Sequence, residues 1–93
     1  MTQSLVGARE RAREVGLRDL ADAEVLALVL GTGVAGEPVA VLAVSLLEAF
    51  DGVEPMARAG FGELAGRRGL GVARALRVAA AFELGRRARA ARE

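Results

Sequence analysis

Phe61 to Arg74 reads FGELAGRRGLGVAR, and the way this stretch turns decides the fold. An apolar segment carrying Leu64 and Ala65 is interrupted by Gly69-Leu70-Gly71, and from Val72 onward Leu76, Ala79, Ala80 and Leu84 recur at helical spacing. The pattern predicts a short helix, a tight Gly-x-Gly turn and a second helix. A turn this short calls for positive φ, which glycine adopts without strain, and a Cβ there would hold a bulky partner off the backbone. Leu70, between the glycines, is expected to point inward as a hydrophobic pin. The amides of Gly69, Gly71, Val72 and Ala73 then border a helix N-terminus, where unpaired N–H groups and the positive end of the dipole suit a phosphate. Arg67, Arg68, Arg74 and Arg77 surround the spot and can add charge-assisted contacts. A plain helical corner with arginines on its wet side explains the same residues, because a lone Gly-x-Gly is a weak motif.

Composition narrows the possibilities. A chain of 93 residues makes one domain, burying roughly 60% of the surface its unfolded form exposes, and these residues leave no room for a catalytic domain beside it. Hydrophobic content is 53%, mostly alanine, leucine and valine, with Phe50, Phe61 and Phe82 the only aromatics. Alanine-rich segments favour close-packed helices over a sheet. With no Trp or Tyr, the usual stacking platform for single-stranded bases is missing. The sequence holds no cysteine and no histidine, which excludes disulfides, zinc–thiolate sites, imidazole ligands and every Ser-His or Cys-His arrangement. No uncharged apolar run reaches the roughly 18 residues a membrane span needs, and the N-terminus lacks a signal-peptide pattern. A soluble cytoplasmic protein without membrane contact or cofactor is expected.

The net charge of +1 hides an asymmetry. Residues 17–54 carry one arginine against seven acids, a net −6, whereas residues 55–93 carry nine arginines against three acids, a net +6. A polyanion should meet the second half first. The same separation also suits head-to-tail self-association or a charged protein partner.

Residues 1–16 read as an N-terminal helical extension, with a mixed-charge helix from about Leu5 to Val15 ended by Gly16. Its Leu5 or Val6, with Val15, is expected to pack weakly on the body. Residues 17–30 enter through Leu17 and Leu20 and become an apolar, buried helix around Val25, Leu26, Leu28, Val29 and Leu30. Gly31 to Pro38 is a first turn, GTGVAGEP, with Pro38 suited to the first position of a helix that runs to about Phe50 and stops at Asp51-Gly52. A connector over Glu54 to Ala59 leads to Gly60, which caps a short helix of residues 61–67 that Gly62 and Gly66 make intrinsically weak. The last helix starts at Val72 and extends to about Ala91, on the order of 30 Å. Gly31-Thr32-Gly33 and Gly69-Leu70-Gly71 lie 38 residues apart, so two helix–turn–helix units back to back, about 20–50 and 60–91, would cover each other's apolar faces.

One motif competes. Val25 to Leu30 followed by Gly31, Gly33 and Gly36 spells a strand plus GxGxxG, with Asp51 20 residues after Gly31, the arrangement of a dinucleotide site. Such a fold needs further parallel strands, and residues 53–93 offer no β-branched run to supply them.

The chain resembles the N-terminal helix-hairpin-helix module of the RadC family, named for DNA repair. The resemblance rests on ERARE (Glu10 to Glu14), LADAEVLALVLGTGVAGEPV (Leu20 to Val39), the LL before Phe50, and above all GLGVARALRVAAAFELGRR (Gly69 to Arg87), and it covers about residues 9–88. It implies an all-α bundle of two pseudo-symmetric helix-hairpin-helix units joined by a short connector helix, with residues 17–93 as the tandem domain. It also implies a DNA-related role and, in a longer parent chain, a C-terminal JAB/MPN domain. The sequence departs from the family pattern at Ala12, where proline is frequent, and at Ala21, where a serine cap is usual. Losing that cap should weaken the helix start by about 1 kcal/mol. The first turn shows Gly31, Ala35 and Glu37 where basic residues are common, so Gly31, Thr32 and Gly33 form the weaker hairpin. Arg74 keeps the family's basic position in the second turn, with Val72 where proline is common.

The sequence therefore points to a non-catalytic module that binds or positions DNA by its backbone, weakly and with strong salt dependence, on a duplex or a branched substrate. The alternative is a helical protein-interaction or dimerisation module, using the charge asymmetry or an apolar strip with Val78 and Phe82. An enzyme finds little support. Ser45 lies in an apolar helix as a back-bonded serine would, and the carboxylate pairs Asp19 with Asp22 and Asp51 with Glu54 read as helix ends rather than metal ligands.

Overall fold

The computed structural model describes residues 7–32, 36–67 and 69–92. The fold is all-helical: α1 (Ala8–Val15), a 3-10 turn (Leu17–Asp19), α2 (Asp22–Leu30), α3 (Val39–Phe50), α4 (Val53–Arg58), α5 (Phe61–Ala65) and α6 (Val72–Arg92). The run Val25 to Leu30, which also reads as a strand, is a helix, so the dinucleotide motif has no βαβ unit to support it.

The largest wholly buried side chains come one each from α2 to α6 and the second turn. Leu30 comes from α2, Leu46 from α3, Met56 from α4, Leu64 from α5, Leu70 from the second turn and Val78 from α6. Each such burial stabilises by about 1.5–3 kcal/mol, so even the five-residue α5 is held by its single leucine despite Gly62 within it. α2 packs against both α3 and α6, which makes it the central helix.

Local chemistry sets the helix ends. α2 begins at Ala21, which has no side-chain oxygen for a cap. Half of a capping box survives: the Ala21 N–H donates to Glu24 Oε1 at 2.9 Å. The other oxygen of Glu24 accepts Arg11 Nε at 2.5 Å. Glu24 is 5% exposed, the one buried charged residue among those described. This ion pair is what α1 contributes, because α1 buries none of its own residues. Val15, expected to pack on the body, is 41% exposed, and Leu5 and Val6 lie outside the described residues. The helix stops where the sequence places its breaks, at Asp51, whose left-handed φ of 68° and N–H donations to Glu48 and Leu47 carbonyls close α3. Pro38 sits at the cap of α3 rather than its first turn. The connector is itself a helix, α4, with Pro55 in its first turn where a missing N–H costs nothing.

Candidate nucleic-acid interface

The second turn has the conformation its glycines suggest. Gly69 and Gly71 have φ of 85° and 83°, and Leu70 between them is fully buried. A Cβ on either glycine would meet nothing within 4 Å among the described residues beyond its chain neighbours, so the requirement is backbone conformation. The Leu70 N–H donates to the Arg67 carbonyl at 3.1 Å, which tightens the turn. The first α6 bond runs from the Ala75 N–H to the Gly71 carbonyl at 3.0 Å. The N–H groups of Val72 and Ala73 therefore lie ahead of the helical ladder, where no internal acceptor exists. Both residues are exposed, Val72 by 60%. Arg67 is exposed just before the turn, while Arg68 lies outside the described residues.

Arg74 and Arg77 do something the sequence pattern does not reveal. Arg74 Nε donates to the Thr32 carbonyl at 2.9 Å and its Nη2 to Thr32 Oγ1 at 3.3 Å. Arg77 Nη1 donates to the Leu30 carbonyl at 2.8 Å. Arg77 thus sits on the last carbonyl of α2, where the helix end carries partial negative charge, while Arg74 holds Thr32 in the turn beyond it and also reaches the Leu70 carbonyl at 3.5 Å. Gly31, which ends α2 with φ of 82°, is required for its conformation, and a Cβ there would also stand 3.0 Å from Arg77 Nη1, which would have to shift slightly. The two arginines latch α6 onto the first turn, so that Gly31 and Thr32, both exposed, border the start of α6. Gly33, the third residue of the weaker hairpin, lies outside the described residues.

Further along α6, Glu83 accepts Arg87 Nε at 3.0 Å and Arg86 Nε at 3.2 Å. These hydrogen bonds, from Arg87 first and then Arg86, hold the Glu83 carboxyl below its ordinary range against the opposing effect of burial. Arg86 Nη1 also reaches the Ala57 carbonyl at 3.3 Å and fastens α6 to the end of α4.

Residues 7–76, carrying both hairpin turns, the buried pin and Arg74 of the latch, match the model of the family described as UPF0758 N-terminal. The chain belongs to the UPF0758 family. This is the RadC-type domain that the residue pattern resembles, seen here as its N-terminal module. A UPF0758 protein of Roseiflexus castenholzii is 51% identical over 79 residues, covering 85% of this chain and 34% of the relative. One from Pseudomonas syringae is 43% identical over 79 residues, covering 85% and 35%, and the UPF0758 protein YsxA of Bacillus subtilis is 42% identical over 79 residues, covering 85% and 34%. The chain thus spans about a third of the length of the curated relatives it matches. No solved structure gives a significant match. None of the helices among the described residues is long and apolar enough to cross a membrane.

Proposed function

We propose that this UPF0758 domain is a non-catalytic, sequence-independent module that binds or positions DNA through its phosphate backbone. It comprises a helical extension, residues 1–16, and two hairpin units of about 20–50 and 60–91. The observation that carries the reading is the latch. By joining Arg74 to Thr32 and Arg77 to Leu30, it holds Gly31 and Thr32 of the first turn close to the start of α6, which supports the two turns acting together. The amides of Gly71, Val72 and Ala73 are the phosphate donors, and Gly69 keeps the turn bare so that a backbone can approach. Arg67 and Arg68 supply the charge. Arg74 and Arg77 add positive charge beside them, and Gly31, Thr32 and Gly33 give a weaker second contact. In a longer parent chain the module would hold DNA relative to the JAB/MPN domain that the RadC resemblance implies.

Few phosphates are neutralised by so small a face, so binding is weak. Two or three arginine–phosphate contacts give a salt slope of about −2 to −3 in log K against log salt. Fluorescence anisotropy on a labelled duplex at low salt tests this with Arg67→Glu, which leaves the latch and the core intact. Affinity should fall severalfold for every duplex sequence tried, and Arg9→Glu on α1 should change little. An Arg67→Glu chain that binds as well as the parent refutes the assignment.

A further inference from the structure

Two apolar surfaces are left uncovered by the described residues, and their charged surroundings are opposite in sign. One is an open groove of about 250 Å³ between α2, α3, α4 and α6, walled by Val25, Val29, Leu47, Val53, Val78 and Phe82. Val25 and Val53 are 38% and 39% exposed. Among the described residues the only charged one lining the groove is acidic, Asp22, and the exposed Glu48 and Asp51 lie within two residues of Leu47 and Val53 in sequence. The other surface is the arm of α6 past Glu83, where residues 84–92 are all exposed. Leu84 is the most exposed large apolar side chain described, at 68%. Leu84, Ala88 and Ala91 follow each other at four and three residues and so share one side of the helix, with Arg87 and Arg92 flanking it.

We propose that the groove receives the α6 arm of a second copy of this chain, the two copies exchanging arms about a two-fold axis. The arm cannot enter its own groove, because the same straight helix supplies Val78 and Phe82 to that groove's wall. A second copy carries a segment with the required chemistry, an apolar stripe edged by arginines for an apolar groove edged by carboxylates. Arm against arm would instead bring four arginines of each copy together, and groove against groove would oppose acids. In the exchange, Leu84 is the anchor that leaves water, and the flanking guanidinium groups, of which Arg87 also holds Glu83 of its own chain, face the acidic edge at Asp22. A two-fold arrangement makes the contact twice and leaves both α6 N-termini uncovered, so it neither requires nor obstructs phosphate binding at the turns.

Light scattering and sedimentation on the intact 93-residue chain test the exchange, at low and high salt. The parent should dimerise, more weakly at high salt. Leu84→Asp on the arm and Val53→Asp in the groove should each weaken the dimer at least about tenfold, since either puts a carboxylate into an apolar contact. Leu76→Asp, on an exposed part of α6 that belongs to neither surface, should leave it unchanged. Both test positions are exposed and Asp suits the first turn of α4, and equal helical circular dichroism verifies that the variants stay folded. A parent chain that is monomeric at several hundred micromolar overturns the proposal, as does a dimer that only one, or neither, of the two substitutions weakens.

Discussion

Replacing Arg77 with alanine separates the two duties an arginine at this place can have. Arg77 Nη1 donates to the Leu30 carbonyl at 2.8 Å across a span of 47 residues. A hydrogen bond from a charged group contributes about 1.5–3 kcal/mol when well desolvated, and a cation at a helix C-terminus adds about 0.3–1 kcal/mol. Two features lower the sum. The Arg77 side chain is exposed, and the Leu30 carbonyl keeps a second partner, the Thr32 N–H at 3.0 Å, so it is not left bare. The expected loss is therefore about 1–2 kcal/mol, near the lower end of the charged hydrogen-bond range. For a domain of this size that corresponds to a drop of about 5–12 °C in Tm. Urea unfolding followed by circular dichroism measures it, with the slope unchanged if only stability moves. Arg74→Ala should act just past the same helix end, so the double variant should lose less than the two singles together. An Arg77→Ala chain within about 0.3 kcal/mol of the parent, below the smallest dipole contribution expected, refutes the latch and returns Arg77 to a purely ligand-facing role.

Leu70→Ala removes the pin and should cost about 2–5 kcal/mol, as for other wholly buried leucines, which urea titration would read as a much lower midpoint or as loss of the fold. Gly71→Ala meets no steric obstacle but forces a side chain to positive φ, so a loss of about 1–2 kcal/mol is expected from conformation alone. Acid titration tests Glu24, whose carboxyl is held below the ordinary 4.5 chiefly by the Ala21 N–H and then by Arg11, against the opposing effect of burial. Because the folded form binds its proton less readily than the unfolded one, this contribution is complete above pH 4.5 and lost as pH falls through the lowered folded value. Glu24→Gln should therefore be less stable than the parent at neutral pH, with the gap closing in acid, and a gap independent of pH would contradict it.

Much of this fold is legible in the residues because its signals are local. The pair Gly69 and Gly71 with an apolar Leu70 between them specifies a turn and a pin, and the stop at Asp51-Gly52 specifies the end of α3. The length of α6 follows from an unbroken run of helix formers after Val72, in which Gly85 alone is a poor one. What was hidden is long-range. Arg74 and Arg77 lie at the right spacing to flank a phosphate, and nothing in their neighbourhood shows that Thr32 and Leu30 lie within reach, 42 and 47 residues away. Likewise Arg11 reads as one charge of a solvated helix until Glu24 is placed beside it. α4 escapes a periodicity reading because six residues with a proline among them span less than two turns, and only Met56 marks the face it buries. The groove is also invisible in sequence, since its walls come from four helices and Val78 and Phe82 are only one of them.

A backbone-amide chemical-shift titration of the isotope-labelled chain, against a linear and a branched duplex, bears most directly on where DNA meets the molecule. Gly71, Val72 and Ala73 should shift first and furthest, Gly31 and Thr32 less, with the changes saturating and weakening as salt is raised. Titrations that leave those amides still, or that move only residues of the α6 arm and the groove, would contradict phosphate binding at the second turn.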